Sequence, residues 1–271
     1  MKIYILLMFL LLSACNENCL LGITSKGILK FSDGTNEQSN LPNRVPKGCG
    51  DTNEQSSLFS GVSNLSVQKL INSIISVETE INSFFGNSFA DELNAIKSAV
   101  DKQDKRQALA EFVTKINNNK DQDGNTPLHA AAEAGREKVL KALLNAGANK
   151  NAKGKNGNTP LHAAVKEGNQ KIVQALLNAG VNKDIENYSG NTPLHAAAEA
   201  GREKVLQALL NAGVNKDIEN YSGNTPLHAA AEAGHEKIVQ ALLDAGAGKD
   251  AVDKALHKAA YGGHEKVVQV L

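Results

Sequence analysis

The chain contains 271 residues, and its 29 basic and 29 acidic side chains give a formal net charge of zero. Nucleic-acid binders carry a basic excess on one face, and base-stacking surfaces need aromatic rings. Because aromatic residues make up only 4% of the chain and tryptophan is absent, a nucleic-acid partner is not expected. The 41% hydrophobic content is that of a globular protein with one or two domains.

Residues 1–14 have the pattern of a secretory signal peptide. Lys2 precedes an apolar run that is too short to span a bilayer. Leu12-Ser13-Ala14-Cys15 resembles a bacterial lipobox, which implies cleavage before Cys15 and acylation of its thiol. The alternative is an ordinary cleaved signal in which Cys15 has no role. The pattern predicts a lipid-anchored protein of the bacterial cell envelope, with the outer membrane or surface favoured over the inner membrane.

Residues 15–61 are rich in Gly, Ser, Asn, Thr and Pro, and this composition predicts a polar, flexible tether. Within it, residues 35–41 return almost unchanged as residues 52–58, either as part of a spacer or as a slippage product. Cys19 and Cys49 would enter an oxidising compartment on export, where they could form a disulfide. The alternative is that Cys19 stays free.

Residues 62–120 regain a helical periodicity and are predicted to form an α-helical segment. A third helix, predicted from Lys105 to Ile116, is expected to dock on the repeats that follow as an N-terminal cap. A rival interpretation is a separate bundle or an oligomerisation surface. An active site in this segment ranks last, because it lacks His and Cys. The three apolar faces are Leu65, Leu70, Ile71, Ile74, Ile75, Ile81, Phe84 and Phe85; Phe89, Leu93, Ile96 and Val100; and Leu109, Phe112, Val113 and Ile116.

A Thr-Pro-Leu-His tetrad recurs along the second half of the chain. It begins at Thr126, Thr159, Thr192 and Thr225, and a degenerate copy begins at Lys254 after a shorter interval. The threonine can cap a helix and the proline suits the first helical position. A second apolar helix and a helix-ending glycine follow each tetrad. A single helix pair of this size cannot bury its apolar face, so neighbouring copies must stack on one another.

With its repeat period, tetrad, alanine pair and Leu-Leu-x-x-Gly tail, the segment 121–271 resembles the ankyrin repeat family. The resemblance implies an all-α ankyrin-repeat solenoid of helix-turn-helix units with extended finger loops, preceded by the α-helical segment. About five units are expected, the last of them degenerate and truncated. Near its end, Val267, Val268, Val270 and Leu271 are expected to be exposed.

All of the histidines fall at repeat positions. The resemblance implies that the tetrad histidine hydrogen-bonds neighbouring loop groups, so no catalytic or metal-binding role is expected. Phosphate loops, HExxH pairs and nucleophile elbows are also absent from the sequence. We therefore expect no enzyme activity, no cofactor and no small-molecule substrate. The histidines are His129, His162, His195, His228 and His257 in the tetrads, and His235 and His264 after helix-ending glycines.

The resemblance implies that a protein partner lies across the fingers and the exposed side of the first helices. Tyr188 and Tyr221 are the expected anchors, because a rigid amphipathic ring is common at interfaces. The alternative is that each ring packs on the adjacent finger. The implied contact residues are Gln122, Asp123, Asn125, Glu133 and Ala134; Lys155, Asn156, Asn158, Lys166 and Glu167; Tyr188, Ser189, Asn191, Glu199 and Ala200; and Tyr221, Ser222, Asn224, Glu232 and Ala233.

Residues 178–201 are identical to residues 211–234, which favours a repetitive or extended partner. The sequence thus predicts a membrane-anchored lipoprotein that binds another protein and performs no catalysis. The alternative function is a structural envelope spacer or assembly element without a discrete partner. Bacteria that live with eukaryotic hosts use such arrays widely, so the resemblance admits a host protein as the partner.

Overall fold

The computed structural model describes residue 59 and the ranges 62–99 and 102–271. Cys15, Cys19, Cys49 and the signal peptide lie outside these residues. The described chain is helical and divides into two compact units. The N-terminal unit holds the described residues up to Lys115 together with residues 145–147, and the repeat unit holds residues 116–144 and 148–271. None of the described helices combines the length and apolar content that crossing a bilayer demands.

The N-terminal unit begins with helices that share a buried apolar core. The predicted first face is broken at Val77, whose φ of −115° and ψ of 11° end one helix and begin the next. Leu65 is 67% exposed, so its assignment to that face is wrong: it lies two residues before Val67, on the opposite side of the helix. The helices are α1 (Asn64–Ser76), α2 (Glu78–Phe85), α3 (Ala90–Ser98) and α4 (Lys102–Asn118), with a 3₁₀ turn at Gly86–Phe89.

The third predicted helix is longer than expected, since α4 covers the interval from Lys105 to Ile116 and extends beyond both ends. Leu109, Phe112 and Val113 are buried, as its apolar stripe predicts. Docking of this helix on the first repeat stays a prediction.

Arg106 fixes the beginning of the N-terminal unit. Its guanidinium donates to the carbonyl oxygens of Phe59 and Val62, the latter at 2.7 Å, and to Asn64 Oδ1 at 2.8 Å. The Phe59 side chain is only 3% exposed. Phe59 therefore belongs to the packed unit, and its assignment to the flexible tether is wrong.

The repeat unit stacks helix pairs in two rows. We number the repeats by their fingers, which begin at residues 121, 154, 187 and 220, and call residues 249–271 the fifth unit. Each first helix contacts the next first helix, from α5 through α13, and the second helices from α8 through α14 do the same. The first helices are α5 (Pro127–Glu133), α7 (Pro160–Glu167), α9 (Pro193–Glu199), α11 (Pro226–Glu232) and α13 (Lys249–Tyr261); the second helices are α6 (Glu137–Asn145), α8 (Gln170–Asn178), α10 (Glu203–Asn211), α12 (Glu236–Asp244) and α14 (Glu265–Val270).

The tetrad starts each first helix of repeats 1–4 as the sequence predicts. Thr159 has extended backbone angles and accepts a hydrogen bond from the His162 N–H, while Pro160 takes the first helical position. Leu161 and Val165 are fully buried, so this short helix is held by packing on its neighbours rather than by helix propensity. The predicted all-α stack of helix pairs is confirmed for the described residues.

The fifth unit differs from the others because its connection is shorter. Here α13 begins at Lys249 and continues to Tyr261, so a helix replaces the finger. Val267 is 1% exposed, which makes the expectation of an exposed Val267 wrong: α14 packs on α12 and buries this side chain. Val270 and Leu271 are partly buried, and only Val268 of the four is exposed.

Candidate protein-binding surface

The fingers are tight turns held by their own side chains. In the third finger, Asn187 Oδ1 accepts the backbone N–H groups of Ser189 at 2.9 Å and Asn191 at 3.0 Å. Gly190 has a φ of 77°, a left-handed conformation that glycine adopts without strain. The fourth finger repeats these bonds from Asn220. The turn places residues 188 and 189 at the tip of the finger.

The tetrad histidines bind each finger to the preceding first helix. His162 Nδ1 accepts the Thr159 N–H at 3.2 Å, and Nε2 donates to the Asn191 carbonyl at 3.0 Å. His129 and His195 make the equivalent bonds to the carbonyls of Asn158 and Asn224, at 3.0 and 2.8 Å. Because Nδ1 accepts, the ring must be neutral with its proton on Nε2. Burial lowers the pKa of His162 to about 4, which keeps the ring neutral.

Neighbouring fingers are also bonded directly to one another. Asn187 Nδ2 donates to Asn158 Oδ1 at 2.9 Å, and Asn220 Nδ2 donates to Asn191 Oδ1 at 2.7 Å. At the tips, the Tyr188 N–H donates to the Asn156 carbonyl at 2.9 Å. This ladder fixes the fingers as one row, so little conformational entropy is left to lose when a partner binds.

Tyr188 and Tyr221 combine exposure with a contact to the preceding finger. Their side chains are 67% and 74% exposed. A Cβ added to Gly157 would lie 2.5 Å from Tyr188 Cδ1, and one added to Gly190 would lie 2.6 Å from Tyr221 Cδ1. Each ring therefore rests on the glycine of the finger before it. One side of each ring packs on the adjacent finger, as the alternative interpretation expects, and much of the rest is open to solvent. The role of the two rings as partner anchors stays a prediction.

A groove of about 490 Å³ runs along repeats 1–3 between the fingers and the first helices. We call it the finger–helix groove. Both signs of charge occur among its side chains, and small alanines separate them. It is lined by Asn125, His129, Glu133, Lys155, Asn158, His162, Ala163, Lys166, Glu167, Asn187, Asn191, Ala196, Glu199 and Ala200.

The groove brings together part of the predicted contact set. Its walls include Lys155, Asn158, Lys166, Asn191 and Glu199. The tyrosine-bearing tip of the third finger and the repeat 4 residues of that set do not line it. Those outside are Gln122, Asp123, Ala134, Asn156, Tyr188, Ser189, Tyr221, Ser222, Asn224, Glu232 and Ala233.

Sequence reasoning missed three polar residues of the groove. The sequence analysis interpreted His129 and His162 only as hydrogen-bond partners of neighbouring loops, and it did not single out Asn187. All three residues line the groove. The signal for Asn187 was present, because it begins the third finger as Asn220 begins the fourth.

The carboxylates near the groove differ in their pairing. Asp123 pairs with Lys155 at 3.0 Å, and Glu232 pairs with Lys258 at 2.6 Å. Within the described ranges, Glu133, Glu167 and Glu199 make no ion pair (within 4.0 Å). The groove therefore offers free carboxylates to a partner.

The histidines outside the tetrads have a structural role. His235 Nε2 lies 3.0 Å from the Glu199 carbonyl, and His264 Nε2 lies 2.9 Å from the Glu232 carbonyl. Each ring thereby satisfies a carbonyl at the end of the preceding repeat's first helix. Among the described residues, no group of three His, Cys, Asp or Glu side chains could hold a metal ion.

A second groove, of about 690 Å³, lies along the second helices of repeats 3 and 4 and the fifth unit. Glu203, Gln207, Glu236, Lys237 and Val270 are among the residues that line it. None of the predicted contact residues lies there, so this surface serves as an internal control for the finger–helix groove.

A family model described as ankyrin repeats (three copies) matches the chain in overlapping segments: residues 60–154, 96–187, 147–220, 179–253 and 212–271. A comparison with curated proteins finds no significant match. The family match begins at residue 60 and so includes the helices that precede the first tetrad. Since the matched region, 60–271, covers well over half of the chain, the protein belongs to the ankyrin repeat family.

Proposed function

We propose that this protein is a membrane-anchored lipoprotein that binds a segment of another protein along its finger–helix groove and performs no catalysis. Ankyrin repeats are protein-interaction modules, and the family match gives that coarse function.

The observation that carries the proposal is the convergence of predicted contact residues on one groove. Lys155 comes from the finger of repeat 2, Lys166 from the first helix of repeat 2 and Glu199 from the first helix of repeat 3, and all three line the same groove. Hydrogen bonds between neighbouring fingers hold the backbone of this surface in place. A preformed polar surface of this kind favours an extended partner segment, which can follow the row of repeats without rearranging it.

The tetrad histidines support a function without catalysis. His129, His162 and His195 use both ring nitrogens in bonds that hold the fingers. They are also at least 98% buried. A general base needs a free nitrogen within reach of its substrate, so these rings are poorly suited to acid–base chemistry.

The anchoring proposal depends on Cys15. Acylation there, followed by the polar tether, would place the groove close to partners in the same envelope compartment and raise its effective concentration. Metabolic labelling with a fatty-acid analogue tests this step. We expect label on the wild-type protein and none on Cys15→Ala, whereas equal labelling of both would contradict the anchor.

Partner capture from solubilised membranes tests the surface. Saturable capture should be lost with Lys166→Ala or with Tyr188→Ala/Tyr221→Ala, and it should survive Gln207→Ala, which alters the groove on the second helices. A host-cell extract used in parallel distinguishes a host partner from an envelope partner. Capture that responds equally to Lys166→Ala and Gln207→Ala would contradict binding in the finger–helix groove.

The identity of residues 178–201 and 211–234 favours one alternative, a structural spacer or assembly element whose repeats only add length. In that case no saturable partner would be captured, and deletion of one of the identical repeats would only shorten the array.

A further inference from the structure

Glu199 and Glu232 are two copies of one carboxylate in matching surroundings. They end the first helices of repeats 3 and 4 and belong to segments that are identical from residue 178 to 201 and from 211 to 234. Their N-cap threonines share nearly the same backbone angles. A difference in what the two carboxylates bind must therefore come from their neighbouring units: Lys166 holds the equivalent position one repeat before Glu199, and the units that follow the two carboxylates also differ.

The fifth unit supplies an ammonium group to Glu232. Lys258 follows the degenerate tetrad's His257, and its Nζ lies 2.6 Å from Glu232 Oε2. The Lys258 side chain is only 23% exposed, so its stem lies against the repeat unit while its charged end meets the carboxylate. This contact shows that a lysine side chain fits at the end of a first helix, beside the carboxylate.

Repeat 4 offers Glu199 no such group. The position that corresponds to Lys258 is Ala229, the residue after the tetrad's His228. In the part of the chain that the structure describes, no basic side chain forms an ion pair with Glu199. Glu199 also lines the finger–helix groove, as do Ala163 and Ala196, the alanines equivalent to Ala229.

The charges of the groove favour a cation at this point. Glu133, Glu167 and Glu199 line it together with Lys155 and Lys166, and Lys155 is already paired with Asp123. Among the described residues that line the groove, three carboxylates are thus accompanied by one ammonium that is in no ion pair, that of Lys166. An incoming lysine or arginine would form an ion pair with a carboxylate in addition to the hydrogen bond that a neutral donor could make.

We propose that the extended protein segment that occupies the groove presents a lysine or arginine side chain to Glu199, in the position that Lys258 takes beside Glu232. This inference rests on the proposed function and adds the chemistry of the partner. Lys258 of the fifth unit thereby makes the same contact that the partner's basic side chain would make. It pairs with the carboxylate of repeat 4, Glu232, and leaves that of repeat 3, Glu199, for the partner.

A phage-displayed library of random nonapeptides, selected on the full chain, tests the inference. Selected peptides should be enriched in lysine or arginine, and replacing that residue with glutamine in a synthetic peptide should weaken binding. Glu199→Gln should weaken binding of the same peptide by about 3- to 10-fold. The matched variant Glu232→Gln should leave it unchanged, because Lys258 already occupies that carboxylate.

Two further variants test the correspondence between Lys258 and the partner. Ala229→Lys should place an ammonium beside Glu199 and weaken the peptide by a similar factor. Lys258→Ala should free Glu232 and tighten binding or add a second bound peptide. Circular dichroism of each variant checks that the repeats remain folded.

The outcomes separate this inference from the proposed function. Peptides that depend on Lys166 but are indifferent to Glu199→Gln would overturn the basic-residue contact and leave groove binding intact. Equal losses with Glu199→Gln and Glu232→Gln would also overturn it. Selected peptides that bind independently of every groove variant would overturn both proposals.

Discussion

Two junctions differ although the same residues precede them: the junction between repeats 3 and 4, and the junction between repeat 4 and the fifth unit. The hydrogen bonds that connect the units are not the same at the two junctions. At the first, His195 Nε2 donates to the Asn224 carbonyl at 2.8 Å. At the second, the buried Nε2 of His228 makes no hydrogen bond within 3.5 Å to any residue that the structure describes. The residue with the same offset from His228 is His257, which lies inside α13, where its carbonyl is not presented by a finger.

The shortened junction replaces finger bonds with side-chain contacts. Lys254 Nζ donates to the Gly223 carbonyl at 2.5 Å, and Lys258 pairs with Glu232. First helices α11 and α13 still pack together. The difference shows that helix packing alone can hold a unit in the stack, while the fingers add a separate layer of hydrogen bonds. It also explains why identical repeats present different free groups to a partner.

The largest expected difference between the junctions concerns the tetrad leucine. Leu194 is 1% exposed, whereas its counterpart Leu256 in the fifth unit is only partly buried. Leu194→Ala should lower the free energy of unfolding by about 2–5 kcal/mol because it leaves a cavity, and Leu256→Ala should cost less than half of that. Urea unfolding followed by circular dichroism measures both. Equal losses would mean that the fifth unit is packed as tightly as the repeats.

A lower pH should destabilise the repeat unit through His162, whose ring donates to the finger of the next repeat. Burial lowers its pKa from 6.5 to about 4, so the unfolded chain takes up a proton at a pH at which the folded chain does not. The stability that depends on a neutral His162 ring is therefore fully present above pH 6.5, and it is lost as the pH falls towards 4. Between pH 7 and pH 5 the free energy of unfolding should fall by about 2 kcal/mol from this residue. Urea unfolding of wild type and His162→Gln at both pH values measures it, and identical pH dependence would contradict the assignment.

The finger glycines provide a matched pair of substitutions. Gly190 and Gly223 both have positive φ, so alanine at either costs about 1 kcal/mol or more. Only at Gly190 would the new Cβ lie 2.6 Å from both the ring and the backbone nitrogen of Tyr221; at Gly223 its nearest contact is Lys254 Nζ at 3.4 Å. Gly190→Ala should therefore destabilise the chain by about 1 kcal/mol more than Gly223→Ala. Thermal unfolding of the two variants compares them, and the reverse order would argue against the ring contact.

The smallest expected difference separates two tetrad histidines. His195→Ala removes the bond to the Asn224 carbonyl, whereas His228→Ala removes a ring whose Nε2 makes no hydrogen bond within the described part of the chain. The first substitution should cost about 1 kcal/mol more than the second, the net value of one hydrogen bond. Denaturant midpoints of the two variants measure the difference. A larger loss at His228 would show that its ring contributes more than the geometry indicates.

The repeat architecture could be predicted from sequence because its signals are local. The threonine cap, the proline at the first helical position and the helix-ending glycine each act within a few residues, and stacking follows from the apolar stripe. The broken helix at Val77, the exposed Leu65 and the buried Phe59 could not be predicted in this way. They depend on how neighbouring helices meet, and an apolar stripe does not specify where a helix bends.

The same limit applies to the candidate surface. Positions such as Lys166 and Glu199 could be placed on the groove because the repeat period transfers from unit to unit. The Lys258–Glu232 pair and the burial of Val267 could not, because the shorter connection changes where α13 begins and what α14 covers. Deviations from the repeat are therefore the places where the structure adds most to the sequence.

Site-specific photo-crosslinking in intact cells tests the central claim most directly. A photoreactive amino acid is placed at position 166, in the finger–helix groove, or at position 237, in the groove along the second helices. The account predicts a discrete crosslinked protein from position 166 that is absent from position 237. Crosslinks of equal strength from both positions, or from position 237 alone, would contradict it.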